Sequence, residues 1–262
     1  MEMKRIERLA LLIFFSCLVA NGQNSAKIPM IDETQEFTEK VTQQNVDGAS
    51  GQAIDIAIKR DAVGFWQVGA KCASQSKILG IRKGFFVSKN ENQLAALYSL
   101  CAGFQGLIIL DQGKVSVHYG FKNESITGIS RLEDINKNGF DEILIRLKQN
   151  DQDVYFRKHV LIELSSKDID ELFHYQTYRQ EFNALTDMMY YFASKIYVEK
   201  AEKPIFYEEL FKRSKGSWTN NGQSIRYDSR WEQVKQMTRL DTFPAMKPVK
   251  YFKVKSINKG KK

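Results

Sequence analysis

The most chemically loaded stretch of this 262-residue chain is Asp134-Ile-Asn136-Lys-Asn138-Gly139-Phe140-Asp141-Glu142. Oxygen-bearing side chains recur at alternate positions, at Asp134, Asn136 and Asn138, and Gly139 follows where the backbone must turn sharply. Calcium takes about six to eight hard oxygen ligands at about 2.3–2.6 Å, and alternate side chains plus a backbone carbonyl in a tight loop can supply them. In that reading Asp134, Asn136 and Asn138 give side-chain oxygens and Phe140 gives its carbonyl. Glu142 closes the site, with Asp141 competing for the last place. The same residue types also suit an Asx-rich turn, which satisfies its own backbone through side-chain bonds and holds no metal.

The flanks decide which calcium architecture is possible. An EF-hand needs a bidentate Glu at loop position 12 and a helix on each side. Counted from Asp134 that position is Ile145, and Gly128–Leu132 and Ile143–Leu147 both look like strands. Over residues 129–147 the chain instead resembles the calcium loop of FG-GAP (integrin-type) repeats, Asp-x-Asn/Asp-x-Asp/Asn-Gly-x-x-Asp between two strands. Asp134, Asn136, Asn138, Gly139 and Glu142 occupy its places, with Glu where the family has Asp. The resemblance implies a structural calcium site, of the kind found in β-propeller blades of extracellular adhesion and recognition proteins. The loop occurs once here, and the chain is short for a whole propeller.

The elements that must carry this loop read as strands. Ala53–Ile58 alternates, with Ile54, Ile56 and Ile58 at period two. Short apolar runs follow at Ile78–Ile81, Leu94–Leu100, Leu107–Leu110, Val115–Phe121, Ile126–Leu132, Ile143–Leu147 and Val154–Leu164. Their spacing of roughly 8–12 residues predicts a mainly β (α+β) fold, an antiparallel sandwich or partial propeller-like set of sheets. One amphipathic helix is expected in the C-terminal half. From Tyr178 the apolar residues Phe182, Leu185, Met189, Phe192 and Ile196 fall at steps of three and four, up to about Lys200. The organisation read from this is a signal peptide at 1–22, a flexible entry segment at 23–50 and a β-rich part with the loop at 51–175. The helix, short strands and a basic tail would fill 176–262.

The start of the chain reads as an address. Lys4, Arg5 and Arg8 precede the apolar run Leu9–Ala20, and small residues follow at Ala20 and Gly22. This is the pattern of a secretory signal peptide, cleaved after Gly22 or after Ala20, and it places the mature chain in the periplasm or outside the cell. No transmembrane segment remains once the signal is removed. A lipoprotein would use Cys17 as its acylated residue, although Phe14-Phe15-Ser16 fit a lipobox poorly. Cys72 and Cys101 are then the mature chain's cysteines, an even pair suited to a disulfide in an oxidising compartment. A bridge closing about 30 residues is worth roughly 3 kcal/mol in the chain-entropy model. Two buried free thiols are the other reading.

Charge and motifs narrow the function. The net charge of +8 is not spread evenly, since residues 201–262 hold 15 basic and 6 acidic groups. That basic quarter, ending Lys259-Gly-Lys-Lys262, suits either a solvated face or contact with an anionic lipid or glycan surface. No nucleic-acid motif is present. Ser74-Gln-Ser-Lys77 matches Ser-x-x-Lys without the companion motifs of acyl-enzymes, and His118, His159 and His174 show no metal or catalytic spacing. The expectation is a non-catalytic binding or structural module. A hydrolase of cell-wall or extracellular polymers is the alternative.

Overall fold

The long apolar runs at residues 93–122 form strands buried on both faces, and this sets the layering. The computed structural model describes residues 26–35, 48–65, 69–89, 93–122, 125–151, 154–164, 169–227 and 251–253. Residues 1–22, expected as a signal peptide and including Cys17, and Lys259–Lys262 lie outside them. The elements in chain order are β1 (Ile28–Asp32), α1 (Gly48–Phe65), α2 (Ala70–Ala73), β2 (Lys77–Gly84), β3 (Gln93–Ser99), β4 (Phe104–Asp111), β5 (Lys114–Lys122), β6 (Ile126–Leu132) and β7 (Glu142–Asp151). They continue with β8 (Val154–Leu164), β9 (Ile169–Asn183), β10 (Met188–Glu199), β11 (Ile205–Arg213), β12 (Thr219–Tyr227) and β13 (Tyr251–Lys253). Two antiparallel sheets result, a small one ordered β13-β5-β4-β3-β2 and a large one ordered β12-β11-β10-β9-β8-β7-β6, with β1 added on β10.

Alternation along the strands assigns the layers. Leu97, Leu107, Ile109 and Val117 of the small sheet meet Ile143, Ile145, Val160 and Ile162 of the large sheet in one core. Ala96, Tyr98, Ile108 and Leu110, on the other face of the small sheet, are covered by Ile54, Ala57 and Ile58 of α1. A third core gathers Leu144, Leu161, Phe173, Tyr175, Ile196, Val198 and Phe206, with Ile31 of β1 and Ile135 of the 134–142 loop. The expected mainly β, sandwich-like architecture is therefore the one found. Cys72 of α2 and Cys101, which follows β3, form the disulfide, with 5.3 Å between their Cα atoms. No helix among the described residues is long and apolar enough to cross a membrane.

Four expectations are corrected. Residues 53–58 are helical, not a strand: Ile54 and Ile58 lie four apart with Ala57 between, and this stripe is buried while Ile56 is 61% exposed. Spacings of four belong to both periods, and the alanines favour the helix. The helix expected at 178–200 is instead the β9–β10 hairpin. Leu185, which continued the helical stripe, sits in the turn at 97% exposure. Pairing of β9 with β8 and of β10 with β11 outweighs a coincidental three-four spacing. The entry segment 23–50 contains β1, whose Ile28 pairs with Val198 and whose Asp32 pairs with Lys195. The division at 175/176 falls inside β9, so both expected parts share one sheet.

The helix reading of 48–65 has a direct consequence. Ile56→Asp should change stability in urea by no more than about 0.5 kcal/mol, whereas Ile54→Ala should cost about 2–5 kcal/mol. Equal costs would indicate a strand with both isoleucines on one face.

Candidate functional site: the 134–142 loop and its cross-strand carboxylate

The loop joins β6 to β7, and its geometry follows from its side chains. Asp134 Oδ1 accepts the Asn138 N–H at 2.9 Å, and Asn138 Oδ1 accepts the Phe140 N–H at 2.9 Å. Asn136 Oδ1 accepts the Asn138 N–H at 3.3 Å. The Asx-turn arrangement is thus present. An oxygen that accepts one hydrogen bond still has a second lone pair, so these bonds do not by themselves exclude a cation. Asp134 and Lys137 adopt φ of 36° and 59°, and Gly139 adopts 90°. A Cβ at Gly139 would also sit 3.1 Å from Cε of Lys89.

The two acids at the end of the loop point to different places. Asp141 binds the small sheet: its Oδ2 accepts the Phe85 N–H at 2.7 Å, and its own N–H donates to the Phe85 carbonyl at 2.7 Å. Arg131 Nε lies 2.8 Å from the same Oδ2. A Cβ at Gly84 would meet that oxygen at 2.5 Å, so a residue without a side chain is required there. This removes Asp141 from competition for the loop and makes it the staple between the two sheets. Glu142 is fully buried. Its Oε2 accepts the Ile135 N–H at 3.0 Å, while its Oε1 is buried without a hydrogen-bond partner.

Sequence reading missed the remaining member. Ile143 pairs with Ile162 on β8, so the next positions outward, Glu142 and Glu163, stand opposite each other on one face. Asn136 Nδ2 and Asn138 Nδ2 both donate to Glu163 Oε2, the latter at 2.7 Å. Glu163 thus holds the Asn136 and Asn138 amides of the loop, and its charge and that of Asp134 act on Glu142. Burial pushes the Glu142 carboxyl up to about 7. The Ile135 N–H opposes this, and the charges of Glu163 and Asp134 add to it. Like charges opposed across strands are destabilising. A hard cation between them would reverse the sign of that interaction. Among the described residues, no three His, Cys, Asp or Glu side chains already stand at metal-holding distances. A cation would have to draw Glu142 Oε1 and the Asn oxygens inward, with the Asn amides turning away from Glu163.

A second polar cluster lies where β1 meets the large sheet. Arg157 and Glu33 form an ion pair at 2.9 Å. Arg146 Nε donates to His159 Nε2 at 3.2 Å, which leaves the proton on Nδ1, 2.9 Å from Thr177 Oγ1. Thr177 Oγ1 donates in turn to Glu33 Oε1 at 2.8 Å. Burial raises the Glu33 carboxyl, against the pull of Arg157. Burial, then the charges of Arg146 and Arg157, hold the His159 imidazole well below its usual range. Thr177 is fully buried, and its proton faces Glu33 rather than His159, so this relay does not activate a nucleophile. His118 is likewise committed, 2.6 Å from the Tyr98 hydroxyl inside the α1-covered core.

Compared with known proteins, the chain matches no family model, no curated protein and no solved structure.

Two measurements check these electrostatic assignments. In chelator at pH 8, Glu142→Gln should raise stability by about 1 kcal/mol, because Gln keeps an acceptor for the Ile135 N–H and removes one buried charge. A loss would mean that protein groups already compensate Glu142. For His159, the folded imidazole stays neutral while the unfolded one titrates near 6.5. Its contribution is therefore complete above pH 6.5 and is lost as pH falls below it, with a slope of at most about 1.4 kcal/mol per pH unit. Urea unfolding between pH 6.5 and 5 should show a shallower decline for His159→Gln than for the wild type. Parallel curves would contradict the assignment.

Proposed function

We propose that this chain is an exported, non-catalytic β-rich module whose sandwich is braced by one structural calcium ion in the 134–142 loop. The observation that carries the reading is the buried, unpartnered Oε1 of Glu142, which feels the charges of Asp134 and Glu163, the latter also holding the Asn136 and Asn138 amides. Those four residues, Glu142 and the Phe140 carbonyl make up the oxygen set, and the ion would neutralise carboxylates that otherwise repel. The resemblance of residues 129–147 to FG-GAP calcium loops supports Asp134, Asn136, Asn138 and Glu142 among these ligands, and Glu163 is added by the strand pairing. It also suits recognition or adhesion, in which a calcium loop stabilises the fold and does no chemistry. The Cys72–Cys101 bridge is compatible with an oxidising compartment.

The alternative hydrolase is less well supported. Its acids would need to face a surface cleft, and Glu33, Glu142 and Glu208 are buried. His118, His159 and His174 are buried too, each within hydrogen-bonding distance of a named side chain.

Binding in the extracellular range, with Kd on the order of 0.5 mM, predicts about 1.4 kcal/mol of stabilisation at 5 mM calcium. This corresponds to a rise in Tm of about 3–6 °C over the chelated protein. Calorimetry should also record one site. Glu163→Gln should abolish most of the shift, and magnesium should give less. A wild-type Tm that does not move with calcium contradicts the proposal.

A further inference from the structure

The β9–β10 hairpin reaches beyond its neighbours. β8 begins at Val154, opposite Glu181, and β11 ends at Arg213, opposite Tyr191. Among the described residues, 182–189 therefore extend as a two-stranded tip past the pairs that flank it. The tip carries two exposed apolar side chains, Leu185 at its apex (97% exposed) and Phe182 (49%), with Met189, half-buried, paired with Phe182. Isolated exposed apolar residues are ordinary, but a contiguous projecting set is not.

A collar of aromatic and cationic side chains encircles the base of this tip. Lys212 Nζ lies 4.7 Å from the Tyr190 ring, on one face. Arg213 Cζ lies 4.8 Å from the Tyr191 ring and 4.6 Å from Trp218, on the other face. Lys215 follows, exposed. The collar begins one residue behind the Phe182–Met189 pair at Tyr190 and continues at Tyr191, about 3 and 7 Å back at about 3.3 Å per residue. An interfacial segment buries its apolar part about 5–10 Å deep in a bilayer, with aromatic rings and snorkelling cations at headgroup level. The order and the depth agree. A collar on both faces suits a tip immersed in a medium. A partner protein docking on one face would leave half of it unused.

The tip also keeps its desolvation cost low. Asn183 Oδ1 accepts the Leu185 N–H at 3.0 Å and the Thr186 N–H at 3.3 Å, so these backbone donors need no water. Glu181 is paired with Arg179. Asp187, exposed beside Leu185, limits the depth to the interface.

We propose that the β9–β10 hairpin tip inserts into the surface of an anionic phospholipid bilayer, with Leu185 and Phe182 at the apolar boundary and Lys212, Arg213 and Lys215 at the headgroups. This is independent of the calcium loop, which lies on other strands. Co-sedimentation with phosphatidylglycerol/phosphatidylcholine vesicles tests it on the whole protein. The wild type should bind these vesicles, more weakly at high salt and more weakly to pure phosphatidylcholine. Leu185→Ser, at a position without packing to lose, should weaken binding at least about tenfold. Lys212→Glu with Lys215→Glu should weaken it about fivefold or more per site. Leu185→Trp should show a blue-shifted emission on vesicle addition. The proposal is overturned by a wild type that does not bind. It is equally overturned by binding that Leu185→Ser leaves unchanged, which would place any contact in the basic chain end. A Leu185-dependent dimer that ignores vesicles would identify the tip's partner as a second copy and also overturn it.

Discussion

Glu142 and Glu163 face each other because Ile143 and Ile162 do. The apolar pair is fixed by the core between the sheets, where both isoleucines are buried. A slip of one residue in β7 or β8 would turn that whole apolar set outward. The acids are held one step beyond it and have no freedom to separate by shifting register. The loop therefore inherits a buried carboxylate with an unpartnered oxygen, a second acid opposite and a third at Asp134. Burial accounts for most of the upward push on Glu142, and the neighbouring charges add to it. A fold rarely keeps such a group unless something compensates it.

The same loop connects the molecule's layers. Ile135 enters the third core, while Asp141, on the opposite side of the chain, holds the end of β2 through Phe85 and pairs with Arg131 of β6. Neighbouring residues thus have opposite tasks, Asp141 binding the small sheet and Glu142 facing the large sheet's other side. Whatever neutralises the loop would tighten both sheets at once. Such an ion would be structural, and the polar cluster around Glu33 and His159 is buried apart from it.

Local chemistry was legible in the sequence, and partnership across strands was not. Asp134, Asn136, Asn138 and Glu142 could be read as a group because a loop's ligands lie close along the chain. Glu163 carries no local signal, since its place depends on the β7–β8 register. The β runs between Ile78 and Leu164 were readable because both-face burial makes them continuously apolar. The two misread elements share one cause. Ile54 and Ile58 satisfy a period of two and a spacing of four alike, and Phe182, Leu185 and Met189 make a helical stripe only if the turn at 184–187 is ignored. Asn183, which caps that turn, was the overlooked signal. β1 is five residues long and holds Pro29, too short to announce itself, and its pairing with β10 spans more than 160 positions.

The most direct measurement is a crystal structure of the protein grown in calcium, with anomalous data to place the ion. The expected result is a single calcium within about 2.3–2.6 Å of Glu142 Oε1, Glu163 and Asp134. The Asn136 and Asn138 amides should have turned their oxygens towards it. A structure without an ion there, in which both amides still donate to Glu163, would contradict the account.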